Sequence, residues 1–160
     1  MIRKLGIDDF EKWKKLRLEA VSLHPASFGE SYQGIKKQDT EWFKKSLDNG
    51  DIFASFKSDS MVGLIGVFSM QPENMRHRAV LFGLYVNAEH RNKNVASSLI
   101  DCVVNYVRPT HKQLHLTVTT DNEPAIFLYK KHGFIIYGTQ PNALLVNDSY
   151  HDEFLMLKKL

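Results

Sequence analysis

The segment Arg91-Asn92-Lys93-Asn94-Val95-Ala96 joins two parts of the chain that differ in periodicity. The apolar run from Ala79 to Val86 before it predicts a buried strand, and the apolar residues after it recur at helical spacing. The first backbone N–H groups of a helix have no partner within the helix, and the helix dipole adds positive charge at that end. We therefore expect this turn to bind an anion, with phosphate as the simplest occupant.

A second motif, Asn122-x-x-Ala125-x-x-x-Tyr129-x-x-x-Gly133-Phe134, follows later in the chain. Together the two segments resemble the GNAT superfamily of acetyl-CoA-dependent N-acetyltransferases. The phosphate loop of that family has the form Arg/Gln-x-x-Gly-x-Gly/Ala and follows a strand with a Leu-x-Val-like end. In this chain Leu84-Tyr85-Val86 and then Arg91 to Ala96 occupy those places. Both motifs in this order are a more specific indication than either motif alone.

The phosphate loop departs from the family pattern at its glycines. The family usually has glycine where this chain has Asn94, and often also where it has Asn92. Asparagine is the least penalised substitute for glycine in a left-handed conformation, so the turn can keep its shape. The Asn94 side chain could also crowd the pyrophosphate. A non-catalytic relative that binds CoA or serves regulation is therefore the alternative to an enzyme.

The resemblance implies acetyl-CoA as the co-substrate and assigns a part of it to each motif. The pyrophosphate would bind the loop amides with Arg91 and Lys93 nearby, and the pantetheine arm would pair with the strand edge. Tyr129 would lie near the thioester sulfur and act as general acid, while Asn122 would contact the cofactor and also cap its helix. The implied cofactor-binding residues are Leu84, Tyr85, Val86, Arg91, Asn92, Lys93, Asn94, Val95, Ala96, Asn122, Ala125 and Tyr129.

The acceptor side is less well defined by the sequence. The resemblance implies direct attack by a primary amine of a small molecule or a peptide in a ternary complex. The aromatic loop with Phe28, Glu30 and Tyr32 is the candidate substrate-binding segment, with the Tyr150 to Glu153 segment opposite. The strand from Phe82 to Val86 carries no glutamate to serve as general base. The conceivable bases are His77, His115, Glu30, Asp152 and Glu153.

Length, composition and charge exclude several other classes of protein. The 160 residues predict one N-acetyltransferase-like domain, residues 1–160, with a net charge of only +3, which argues against nucleic acid as a partner. No apolar run reaches the roughly 18 residues of a membrane span. Because the N-terminus also lacks a signal-peptide pattern, we expect a cytoplasmic location. Cys102 is the only cysteine and the histidines form no metal motif, so no metal is expected. A homodimer is one option for the oligomeric state.

Periodicity and turn residues predict an α/β (α+β) fold in the order β-α-α-β-β-β-α-β-α-β-β. The central sheet is expected to be mixed and mostly antiparallel, with helices on both faces. The stretch from His24 to Gly34 is expected to be an irregular loop or broken helix, and the closing strands to lie at Phe134 to Gly138 and Tyr150 to Leu157. The resemblance implies that the fourth and fifth strands splay apart around the pantetheine arm.

Overall fold

Seven strands form one mixed sheet in the computed structural model, which describes residues 1–160. The strands are β1 (Ile2–Lys4), β2 (Asp51–Lys57), β3 (Ser60–Ser69), β4 (Arg78–Val86), β5 (Gln113–Thr119), β6 (Ile135–Val146) and β7 (Ser149–Lys159). Their order across the sheet is β1-β2-β3-β4-β5-β7-β6. Only the β4–β5 pair is parallel. The predicted mostly antiparallel sheet is confirmed.

Five helices cover the two faces of the sheet. They are α1 (Phe10–Leu23), α2 (Tyr32–Lys36), α3 (Thr40–Asn49), α4 (Val95–Val107) and α5 (Glu123–Lys131). Alternate residues of β2 point to opposite faces, so Ile52 and Ala54 pack with α1, α2 and α3 while Phe53 packs with α4. The result is two apolar cores, of 14 and 17 buried residues, on either side of the sheet. The predicted placement of helices on both faces is confirmed.

A bulge in β4 marks the point at which the sheet opens. The register shifts between Leu64 and Gly66 of β3, and on the opposite strand Gly83 has a φ of +64°, a left-handed conformation that glycine adopts without strain. β4 pairs with β5 only over Arg78 to Val80, whereas β5 continues along β7 as far as Thr119. The last residues of β4 therefore diverge from β5, which confirms the expected splay.

One predicted segment is now defined in detail, and another differs from its predicted form. The stretch predicted as an irregular loop or broken helix contains a 3₁₀ turn at Pro25–Ser27 and ends in α2, which the Ser31 hydroxyl caps by accepting a hydrogen bond of 3.0 Å from the Gly34 amide. β6 does not end at Gly138 but runs on to Val146, through Pro141. A proline is tolerated there because β6 is the outermost strand and its register shifts between Gln140 and Leu144.

Candidate active site

A cleft of about 310 Å³ lies where β4 and β5 diverge. It brings together most of the residues predicted to bind the cofactor, from the end of β4, the start of α4 and the start of α5. Phe28, predicted for the substrate, also lines it. The lining residues are His24, Ser27, Phe28, Leu84, Tyr85, Val86, Arg91, Ala96, Asn122, Pro124, Ala125 and Leu128. The predicted residues Asn92, Lys93, Asn94, Val95 and Tyr129 are not part of this lining.

The loop before α4 presents a row of unpaired backbone donors. None of the amides from Asn92 to Ser97 donates a hydrogen bond within the protein. Asn92 and Asn94 both adopt the left-handed conformation, with φ of 58° and 62°, so asparagine does preserve the glycine-type turn. The Asn94 side chain makes no capping bond to these amides. Free amides at the positive end of a helix dipole form a site suited to an anion.

Arg91 is held by contacts with the end of β4 and with His24. Its Nε donates to the Val86 carbonyl at 3.0 Å, and its guanidinium lies 3.0 Å from Nε2 of His24 and 5.7 Å from the centre of the Tyr85 ring. Because arginine only donates, His24 Nε2 accepts this bond and the imidazole is neutral. Burial and the nearby Arg91 charge lower the pKa of His24. Sequence reasoning did not identify His24, which contacts Arg91 across 67 residues of chain.

The Tyr85 hydroxyl is hydrogen-bonded to α1 and is not available for acid–base chemistry in the cleft. Its hydroxyl donates to a Glu19 carboxylate oxygen at 2.7 Å, and its ring is 5% exposed. Burial, together with this carboxylate, raises the pKa of Tyr85 to about 12. Tyr85 therefore supplies a strand edge and an apolar wall, while its hydroxyl stays protonated and bound to α1.

Tyr129 lies one helical turn beyond Ala125, on the inner face of α5. It is 7% exposed and its ring packs edge-on against Phe134 at 5.8 Å between centres. Burial raises the pKa of the Tyr129 hydroxyl, so the group is protonated at neutral pH and is a weaker acid than a free tyrosine. Asn122 caps the same helix, because its side-chain oxygen accepts a bond of 3.3 Å from the Ala125 amide. The catalytic role of Tyr129 stays a prediction.

A second hollow, of about 520 Å³, adjoins the cleft at Phe28. Phe28, Glu30 and Tyr32 all line it, as the sequence predicted for the acceptor side. The opposite wall differs from the prediction, because the end of β6 from Ala143 to Val146 and the following Asn147 lie there instead of Tyr150 to Glu153. The reason is the length of β6, which continues past Pro141 and carries its last residues toward the α1–α2 loop.

An ion pair between a buried arginine and a half-exposed glutamate connects this hollow to the β4 bulge at Gly83. The Arg17 guanidinium, on α1, donates to the Glu30 carboxylate. The Arg17 side chain is 7% exposed and that of Glu30 is 46% exposed. Sequence reasoning did not identify Arg17, which lies among the buried residues Trp13, Leu16, Ala20 and Val21 of α1. A charged residue on an otherwise apolar stripe is the signal that could have identified it.

Of the conceivable bases, only Glu30 lines either cavity. His115 instead contacts Gln113 at 3.0 Å, and Asp152 accepts a bond of 2.8 Å from the Asn142 amide in the β6–β7 pair. No group of three or more histidine, cysteine, aspartate or glutamate side chains is close enough together to hold a metal ion. No helix combines the length and apolar character needed to span a bilayer.

Known proteins are similar to this chain in sequence and in fold. The model of the acetyltransferase (GNAT) family matches residues 13–134. L-amino acid N-acetyltransferase AaaT of Escherichia coli is 28% identical over 164 residues, covering 99% of this chain and 96% of the relative. Spermidine N(1)-acetyltransferase of Vibrio cholerae is 27% identical over 128 residues, covering 78% of this chain and 73% of the relative.

Solved structures of acetyltransferases superimpose on this chain over nearly its whole length. An acetyltransferase of the GNAT family from Streptococcus pneumoniae superimposes with a TM-score of 0.88 at 25% identity, over 100% of this chain and 99% of that one. The structure of yncA from Salmonella typhimurium, solved with its cofactor acetyl-CoA, superimposes with a TM-score of 0.84 at 18% identity, over 100% and 93% of the two chains. The family match covers the cleft, the loop before α4 and α5. The chain belongs to the acetyltransferase (GNAT) family and is an acetyl-CoA-dependent acyltransferase.

Proposed function

We propose that this protein is a single-domain N-acetyltransferase that moves the acetyl group of acetyl-CoA to a primary amine of a small molecule or peptide. The observation that carries the proposal is the joined pair of cavities. The β4–β5 cleft begins near free amides at the start of α4, and the acceptor hollow meets the same cleft at Phe28. Donor and acceptor can therefore occupy the protein together and react at their junction.

The binding of acetyl-CoA is divided among three parts of the cleft. The amides from Asn92 to Ser97 bind the diphosphate, since they have no partner in the protein. The edge of β4 from Leu84 to Val86, which β5 does not cover, pairs with the amide groups of the pantetheine arm. Ala125 and Leu128 of α5 form the opposite apolar wall. Each contact uses backbone or apolar surface, so binding tolerates asparagine in the loop.

The transfer is a direct attack. The amine nitrogen forms a bond to the thioester carbonyl carbon, the carbon–sulfur bond breaks, and the leaving thiolate takes the Tyr129 proton. The proton lost by the amine goes to Glu30 or to water in the hollow. Cys102 is only partly buried, but burial raises the pKa of its thiol and it lines neither cavity, so it is not an acyl carrier.

The test follows free thiol released from acetyl-CoA against a panel of amines, with both substrates varied. Direct attack requires initial-velocity lines that intersect, whereas an acyl-enzyme would give parallel lines. The named relatives make amino acids and a polyamine the first acceptors to include. A melting shift with CoA but no thiol release from any amine would refute the transferase and favour a CoA-binding module.

A further inference from the structure

The Arg17–Glu30 pair is the only place where opposite charges meet beside the acceptor hollow. Glu30 is the one acidic residue that lines the hollow or the cleft, and Arg91 with neutral His24 lines the cleft. A polyamine with several positive charges needs several carboxylates, and a single carboxylate already paired with arginine does not supply them. The charges around the junction therefore disfavour a polycationic acceptor.

Arg17 also has hydrogen-bonding capacity that the protein leaves unused. A guanidinium carries five N–H donors in a fixed fork. The protein uses the bond from Nη2 to Glu30, and the buried Nε has no partner. Nη1 lies beside the bulge glycine, only 3.3 Å from the position that a Cβ on Gly83 would take. Arg17 itself lines neither cavity, but Glu30 joins it to the hollow and its Nη1 lies at the β4 bulge, so this guanidinium is suited to a carboxylate, which accepts from it in a forked geometry.

The two charges together match a zwitterion. A carboxylate on Arg17 places a neighbouring ammonium group next to Glu30, so the four charges alternate in sign. The amine then lies at the Phe28 junction between the two cavities. The walls of the hollow include Val21, Tyr32 and Leu144, which offer apolar surface to a side chain.

We infer that the acceptor is an α-amino acid with an apolar side chain, whose carboxylate binds Arg17 and whose amine faces Glu30. This inference rests on the proposed N-acetyl transfer and specifies its acceptor. Arg17 is then a specificity-determining residue, and the absence of a side chain at Gly83 leaves space beside its guanidinium.

The experiment compares L-phenylalanine with L-phenylalaninamide, which keeps the amine and the side chain but has no carboxylate. The measured quantity is the ratio of their kcat/KM values. Because each acceptor keeps its own intrinsic reactivity in every variant, a change in this ratio reports the protein alone. A hydrogen-bonded charge pair changes affinity by about 10-fold to 100-fold.

Two substitutions should move the ratio in opposite directions. Arg17→Gln should lower it by about 10-fold to 100-fold, because the carboxylate loses its partner. Glu30→Gln should raise this ratio. Without the Glu30 charge, the positive charge of Arg17 is uncompensated, which favours the carboxylate of L-phenylalanine over neutral L-phenylalaninamide. Arg108→Gln changes an exposed arginine beyond the end of α4 and should leave the ratio at the wild-type value.

A ratio that stays at the wild-type value in both variants overturns the inference, as does faster turnover of spermidine than of any amino acid. Should Arg17→Gln not fold, Glu30→Gln still decides, since Glu30 is half-exposed. Absence of thiol release with every acceptor would instead refute the transfer itself. Calorimetric titration of the amino acid and its amide into CoA-loaded protein then tests Arg17 separately: only the amino acid should bind, and equal binding of both overturns the inference.

Discussion

Replacing Asn94 by aspartate should stabilise the free protein and weaken its binding of CoA. Asn94 stands next to the free amides at the start of α4. A negative charge near the N-terminus of a helix contributes about 0.3–1 kcal/mol. For a chain of this length, 1 kcal/mol corresponds to about 2–4 °C in Tm, so we expect a rise of about 1–4 °C.

The effect on CoA has the opposite sign, because the diphosphate brings negative charge to the same amides. Two like charges about 4 Å apart repel by about 1 kcal/mol in water and about 4 kcal/mol at an effective dielectric constant of 20. Asn94 is exposed, so the loss should lie near the lower figure. We expect about 1–2 kcal/mol, which is about a 5-fold to 30-fold increase in Kd.

The assay is calorimetric titration of CoA at low salt and at high salt, together with thermal melting. The difference in Kd should shrink at about 1 M salt, where the Debye length is about 3 Å. Asn105→Asp is the matched control: it adds the same charge to an exposed site in the last turn of α4, so it should lower Tm and leave Kd unchanged. Asn94→Gly keeps the left-handed turn without a side chain and should lower Kd. An Asn94→Asp variant that binds CoA as tightly as wild type at low salt would refute a diphosphate site at α4.

Three further predictions follow from individual side chains. Tyr129→Phe should lower kcat by about 10²-fold with the Kd of CoA unchanged, and an unchanged kcat in thiol-release kinetics would remove Tyr129 from the mechanism. Gly66→Ala places a methyl within 2.6 Å of three atoms of the Phe82 ring, so urea denaturation should show a free energy of unfolding lower by about 1–3 kcal/mol. Gly6→Ala is the control, because its methyl meets no atom within 4 Å and should leave the free energy of unfolding unchanged. The pKa of His24 is lower in the folded protein than the 6.5 of the unfolded chain, so between these two pKa values the unfolded chain binds more protons. The free energy of unfolding therefore falls as the pH drops from 6.5 through the folded-state pKa. His24→Gln should flatten this part of the pH–stability curve, and an unaltered slope would contradict the assignment.

The strand, turn and helix around Arg91 could be predicted from the sequence because their determinants are local. Apolar periodicity defines β4 and α4, and the capping residues Asp39 and Asn122 each accept a bond from an amide three residues later. Gly133, with a φ of +82°, follows the end of α5 in a left-handed conformation that favours glycine. The order of elements is confirmed apart from the added helix α2.

The features that the sequence did not predict depend on contacts between segments that are distant along the chain. The bond between Tyr85 and Glu19 spans 66 residues, and the Arg17–Glu30 pair joins α1 to a loop that has no periodicity. The continuation of β6 through Pro141 requires an outer position in the sheet, which no local pattern reveals. The acceptor hollow was therefore half predicted: its aromatic loop was identified, and its β6 wall was not.

The proline and shifted register of β6 also limit how this sheet can grow. An outermost strand with free N–H and C=O groups can recruit another chain, and Ile135 and Tyr137 near its start are exposed. Pro141 has no N–H to offer, and Asn142 turns left-handed with a φ of 49°. A neighbouring molecule therefore meets two short stretches instead of one continuous template. We expect any self-association of the protein to use a different surface. Open-ended addition of further strands along this edge should be suppressed.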